Sequence, residues 1–256
     1  MSDLNKEYKS AWETYTEEDK KALFAYGERY RKFISDNKTE RECIKSMVKT
    51  AEEAGYRNIE DCIAKGERLQ AGDKVYANYN DKTLLMFCIG QEPIANGLNL
   101  LGAHLDSPRL DLKPNPLYED TNFAMFKTHY YGGVKKYQWV AMPLSIHGIV
   151  AKKDGTVVDV VIGEDETDPV VGISDLLIHL SGEQMQKKLG EAIAGEDLNI
   201  CLGTLPLEGE EKDKVKANIL KLLNDKYGIT EEDFVSAEIE IVPAGAARDY
   251  GLDRSM

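Results

Sequence analysis

The chain has 256 residues, of which 42% are hydrophobic and 30% charged, and its formal net charge is −13. That is enough apolar material for one large domain or two smaller ones. The acidic balance repels a phosphate backbone, so nucleic acid is not expected as a partner. No apolar run reaches the roughly 18 residues of a membrane span, and the opening MSDLNKEYKSAWETYTEEDK has no apolar core for a secretory signal. A cytoplasmic protein that does not enter the membrane is the expectation. The four cysteines, Cys43, Cys62, Cys88 and Cys201, form no CxxC pair, which argues against a disulfide framework or a zinc knuckle.

In chain order, helices come first. Thr16-Glu17-Glu18-Asp19 resembles a helix start with acids in its first turn, and Leu23, Tyr26, Tyr30, Phe33 and Ile34 recur at helical spacing. Thr39-Glu40-Arg41-Glu42 fits a capping box, with Ile44, Met47, Val48 and Ala51 on one face and Gly55 as a stop. Strands are predicted over 74–79 and 83–89, joined by a turn at Asn80-Asp81. The short apolar stretch 97–105 is expected to be a buried strand ending at Asp106-Ser107-Pro108. Pro114-Asn115-Pro116 reads as a crossing point between domains. Asp154-Gly155 between the alternating runs 146–152 and 156–162 predicts a hairpin. Helices are expected over 174–189 and 212–227, and a half-buried strand over 236–242, where Ala237, Ile239 and Ile241 alternate with Glu238 and Glu240.

Chemistry is sparse. Of the four histidines, His104, His129, His147 and His179, the first stands out because it ends an apolar run in Gly-Ala-His-Leu-Asp-Ser-Pro. On an extended chain His104 and Asp106 project from the same face. The carboxyl end of a buried strand is where open α/β sheets build their sites. A metal-bound histidine commonly gives its other ring N–H to a carboxylate, a role open to Asp106. HxD is a weak signal taken alone, and a purely structural role is the other reading of His104. Zinc needs three or more protein ligands, and the acidic clusters Glu210-Glu211 and Asp165, Glu166, Asp168 read as solvated loops. There is no HExxH, GxSxG or phosphate-cradling glycine loop.

Longer strings say more. LGAHLDSPRLDLKPNPLYED (101–120) resembles the signature of the aspartyl-aminopeptidase family of zinc metallopeptidases. KTHYYGGVKKYQW (127–139) and VPAGAARDYGLDRSM (242–256) resemble its bacterial and archaeal members. The resemblance covers essentially the whole chain, in the right order. It implies an α/β fold: the first part of an α/β-sandwich zinc-peptidase domain, residues 1–112, an inserted β-rich dimerisation domain, 113–242, and re-entry into the catalytic domain at 243–256. It implies an aminopeptidase with two zinc ions that removes single N-terminal residues from peptides, with dimers building to a dodecamer. His104 matches the first zinc ligand and Asp106 the carboxylate that supports it. His179 resembles a histidine that reaches the partner subunit's active site and helps hold substrate. The family's bridging aspartate, glutamate base and remaining ligands come later than Met256, so the isolated chain is expected to be inactive. The alternative is a non-catalytic, self-associating module, with an oligomer expected in either case.

Overall fold

A computed structural model of the chain describes residues 8–256. They fall into two compact units: the described residues up to Asp36 together with Ala246–Met256, and Asn37–Gly245. The first unit contains α1 (Ala11–Thr14) and α2 (Glu17–Asp36). Ser10 and Glu13 form a capping box on α1, and Trp12 sits with its ring centroid 6.1 Å from those of Tyr15 and Phe24. Within the same unit Arg31 pairs with Asp249 at 3.1 Å, and the Ala247 amide donates to Ser35 Oγ at 3.0 Å. The expected helix of the 20s and 30s is therefore α2.

The second unit opens with α3 (Glu40–Glu53), started by the expected capping box: Thr39 accepts from the Glu42 amide while Glu42 accepts from the Thr39 amide. β1 (Arg57–Asn58), α4 (Ile59–Ala64), β2 (Lys74–Tyr79) and β3 (Thr83–Cys88) follow. The three strands form a small sheet, β1-β2-β3. Asn80 and Asp81 both have φ of 53° and close the β2–β3 hairpin, a conformation that short polar side chains tolerate. Ile44, Ala51, Cys62, Val75 and Tyr76 are buried where α3 and α4 meet this sheet. On β3, by contrast, Leu85, Met86 and Phe87 are all exposed.

The larger sheet is six-stranded, in the order β7-β6-β9-β4-β5-β8. Its strands are β4 (Arg109–Asp120), β5 (Phe123–Tyr131), β6 (Leu144–Ala151), β7 (Val157–Ile162), β8 (Ile200–Gly203) and β9 (Ala237–Pro243). The helices α5 (Lys136–Trp139) and α6 (Lys214–Tyr227) lie between them in sequence. One face carries the main core, in which Leu110, Phe126, Leu144, Ile146, Ile239 and Ile241 pack with Phe234 and Ile229. Phe126 and Phe234 meet edge to face at 5.5 Å. The hairpin around Asp154-Gly155 is present as β6–β7, and α6 ends at Gly228, whose φ of 64° suits glycine. Gly148 has φ of 145°, and a Cβ there would lie 2.0 Å from the Glu238 carbonyl oxygen, so β6 and β9 approach this closely only with glycine at that position.

Two sequence expectations are corrected. The stretch 97–105 forms no strand and is exposed, Leu101 to 96%. An apolar run becomes a strand only where a ladder partner exists, and none of the described residues supplies one here. Residues 174–189 form no α-helix but two short 3₁₀ turns, Ile178–Leu180 and Gln184–Gln186. Ser181-Gly182 interrupts the pattern, and Leu176, Leu177, Ile178, Leu180, Met185 and Leu189 are exposed, so no packing supports a helix. Pro114-Asn115-Pro116 lies inside β4, where the register shifts between Leu112 and Leu117, a bulge that absorbs prolines unable to donate to the ladder. The limits expected after 112 and 242 sit within β4 and β9, the strands through which the chain enters and leaves this sheet.

Candidate metal-ligand site and its supporting polar cluster

His104 lies five residues before the start of β4, in the exposed segment that leads the chain into the sheet, and its side chain is 84% exposed. The ring Nδ1 is 2.9 Å from the Asp106 carbonyl oxygen and 3.2 Å from Asp106 Oδ1. Both are acceptors, so Nδ1 carries the hydrogen and Nε2 presents its lone pair. The other carboxylate oxygen, Oδ2, accepts from the Tyr131 hydroxyl at 2.9 Å. That bond, more than any other, holds the Asp106 carboxyl below the usual carboxylate range and pushes the Tyr131 hydroxyl up. The structure thus brings together the two residues expected to cooperate, with Asp106 on the ring nitrogen a second-layer carboxylate would occupy.

Tyr131 pairs directly across the β4–β5 ladder with Arg109, whose guanidinium lies 4.2 Å from the Tyr131 ring centroid. Arg109 Nη1 donates to Glu40 Oε1 at 2.8 Å, and Nε donates to Asp111 Oδ1 at 2.7 Å and lies 3.4 Å from Glu240 Oε2. Burial disfavours the Arg109 charge, but Asp111 and Glu40 are among the carboxylates that outweigh it and keep the guanidinium protonated.

These groups belong to a polar row across the face of the large sheet opposite its core. Asp111, Glu240 and His147 are register neighbours on β4, β9 and β6, and the first turn of α3 lies over them. Glu240 was expected on a solvated face, yet it is 2% exposed. Burial, then the charge of Glu40, pushes its carboxyl up to about 8, so it is protonated at neutral pH. His147 is clamped between Glu42 (Nδ1–Oε1, 2.7 Å) and Glu164 (Nε2–Oε1, 2.9 Å). Burial opposes its charge, but the two carboxylates raise its pKa. Glu164 also accepts from Lys38 at 2.6 Å and Ser145 at 2.5 Å. Glu238 accepts from Arg41 at 2.6 Å and pairs with Lys82. The sequence carried no local signal for this cluster, because its members lie on four separate elements, α3, β4, β6 and β9, and on the loops at Lys38, Lys82 and Glu164.

His179 sits in the exposed turn Ile178–Leu180, and no hydrogen bond or ion pair joins it to His104 or Asp106. His129 stacks on Tyr130 with centroids 5.7 Å apart. The zinc implied by the resemblance fits His104 as one imidazole ligand with a fixed tautomer. Among the described residues no group of three or more His, Cys, Asp or Glu side chains is placed to hold a metal. One imidazole among the described residues is short of the three or more protein ligands that a zinc centre takes. Among the described residues no helix is long and apolar enough to cross a membrane, and the four cysteines are free thiols.

Comparison with known proteins matches this architecture. The family model described as aminopeptidase I zinc metalloprotease (M18) matches residues 33–256. A probable M18 family aminopeptidase 1 from Clostridium acetobutylicum is 64% identical over 256 residues, covering 100% of this chain and 55% of that protein. Its Thermotoga maritima counterpart is 46% identical over 253 residues, covering 99% and 54%. The crystal structure of an M18 aminopeptidase from Thermotoga maritima superposes with a TM-score of 0.90 at 46% identity, covering 98% of this chain and 54% of that one. That of aminopeptidase I from Clostridium acetobutylicum gives 0.88 at 61%, covering 98% and 55%. A yeast structure described as a dodecamer, at 17% identity and a TM-score of 0.60, shares the fold alone. The chain spans about half the length of the curated relatives it matches. The chain belongs to the M18 aminopeptidase I family of zinc metalloproteases.

Proposed function

We propose that this sequence serves a zinc aminopeptidase that removes N-terminal residues from peptides, and that it contributes one metal ligand, His104, oriented by Asp106. The observation that carries this reading is the pinned Nδ1 of His104, which leaves Nε2 free to bind a metal, within a family whose description specifies zinc. When bound, zinc supplies Lewis-acid polarisation of a peptide carbonyl and an activated water. The His104–Asp106 pair contributes a fixed lone pair. The remaining ligands of two zinc ions, and the proton-transferring glutamate, are proposed to come from the part of the family's length that this chain does not cover.

The exposed apolar turn region around His179 supports self-association, with dimers building to a dodecamer, and a role for His179 at a partner subunit's substrate. Exposed Leu177, Ile178 and Leu180 beside it form the surface that an oligomer would cover. The same surface supports the alternative, in which the chain alone is a non-catalytic self-associating module.

The test is zinc-dependent release of N-terminal residues by the full-length polypeptide that carries this sequence, with and without chelator and with His104→Ala. Activity that is lost on chelation and in the variant supports the proposal. Full activity in His104→Ala sinks the assignment of His104.

A further inference from the structure

His104 is exposed and lies on a segment without strand partners, yet its ring nitrogen is held by a carboxylate with a defined orientation. An exposed Asp-His contact two residues apart has no rigidity of its own, since both side chains rotate freely in water. The rigidity has to come from elsewhere, and a continuous series of contacts leads from Asp106 into the buried polar row.

At the outer end, Asp106 divides its two oxygens: Oδ1 faces His104 Nδ1 at 3.2 Å, while Oδ2 accepts from Tyr131 at 2.9 Å. With Oδ2 occupied, the carboxylate plane is set and Oδ1 is left for the imidazole. In the middle, the Tyr131 ring is pressed against the Arg109 guanidinium at 4.2 Å, directly across the ladder. At the inner end, Arg109 is 9% exposed in its side chain and anchored to Glu40 on α3, Asp111 on β4 and Glu240 on β9. A planar guanidinium can stack on a ring and donate along its edge at once, which a lysine ammonium cannot.

We infer that Tyr131 and Arg109 are positioning residues for His104, forming a relay that ties the orientation and tautomer of the imidazole to the buried junction of α3, β4 and β9. The inference rests on the proposed reading of His104 as a zinc ligand. Neither residue touches metal or substrate. Their effect passes through Asp106 alone.

The test uses the full-length polypeptide carrying this sequence, with zinc alone as the probe, its affinity read by competition with a chelator. Tyr131→Phe keeps the ring on Arg109 and removes only the hydroxyl. It is expected to weaken zinc binding about tenfold, the low end for losing an outer partner of a metal-bound histidine, with the metal-free thermal midpoint unchanged. Asp106→Asn is expected to weaken binding at least as much, and the double variant no more than Asp106→Asn. Arg109→Lys, which keeps the charge among the carboxylates, is expected to give a smaller loss. In metal-free protein, ¹⁵N resonances of His104 should report a single Nδ1–H tautomer in the parent and a mixture in Tyr131→Phe, a readout that a merely structural tyrosine would not move. If Asp106→Asn weakens zinc binding while Tyr131→Phe matches the parent, or if the two losses add, the relay is overturned and the ligand reading stands. If His104→Ala and Asp106→Asn both leave zinc affinity intact, the ligand reading fails and takes the relay with it.

Discussion

The six-stranded sheet and the segment that carries His104 follow one another in sequence and differ in almost every physical respect. The sheet encloses Leu110, Phe126, Ile239 and Ile241 on one face and a paired polar row on the other, so its central strands are covered on both sides. The preceding stretch 97–105 is as apolar but has no ladder partner among the described residues, and β3 beside it in sequence exposes Leu85, Met86 and Phe87. The difference teaches that apolar content alone does not make a strand. A buried strand also needs hydrogen-bonding neighbours, and 97–105 has none among the described residues. The proposed metal ligand sits between these two regions, held on the side of the sheet by Asp106, Tyr131 and Arg109.

That contrast can be broken or sharpened by substitution. The largest effect is expected at Gly148, where any Cβ would collide with the Glu238 carbonyl. Gly148→Ala should cost more than about 4 kcal/mol, seen as loss of the cooperative unfolding transition. Phe126→Ala, in the core, should cost about 3–5 kcal/mol in denaturant unfolding. Arg109→Ala strips the cation from the buried carboxylates and should cost about 3–5 kcal/mol. At the other extreme, Leu101→Ser should change the stability of the 256-residue chain by no more than about 0.5 kcal/mol, because Leu101 is already in water. A core-sized loss there would contradict the comparison.

The polar row adds a pH dependence of definite sign. Burial and the charge of Glu40 raise Glu240 in the folded state from 4.5 to about 8. Its stabilisation is complete below the unfolded value and is lost as pH rises toward the folded one. The raised His147 acts in the same direction, its contribution present below 6.5 and lost above its folded value. Glu42 and Glu164 are depressed, despite burial, by His147 and Lys38 among their partners, so their contributions vanish on acidification below 4.5. The thermal midpoint should therefore decline between about pH 5 and about pH 9, and Glu240→Gln, neutral throughout, should flatten that decline. An unchanged slope in the variant would show that Glu240 does not hold its proton in the fold.

Much of this was legible locally. The capping box of Thr39 and Glu42 and the turns at Asn80-Asp81 and Asp154-Gly155 are fixed by neighbours three or four residues apart, and all three are present. The His104–Asp106 pair was legible for the same reason. What failed depended on distant partners: 97–105 lacks a ladder, and 174–189 lacks a surface to pack on. Glu240 read as solvated because alternation gives the face of a side chain but not whether a helix start covers that face. Tyr131 and Arg109 were unremarkable in sequence, since only the β4–β5 register sets them opposite each other.

The central proposal is that the described residues hold one well-oriented metal ligand, His104, and not a complete centre. The most direct test compares the purified 256-residue chain with the full-length polypeptide carrying it, both supplied with zinc, for release of an N-terminal residue from a peptide. The account predicts turnover by the longer polypeptide and none by the 256-residue chain alone. Zinc-dependent turnover by the 256-residue chain, abolished by chelator, would contradict it.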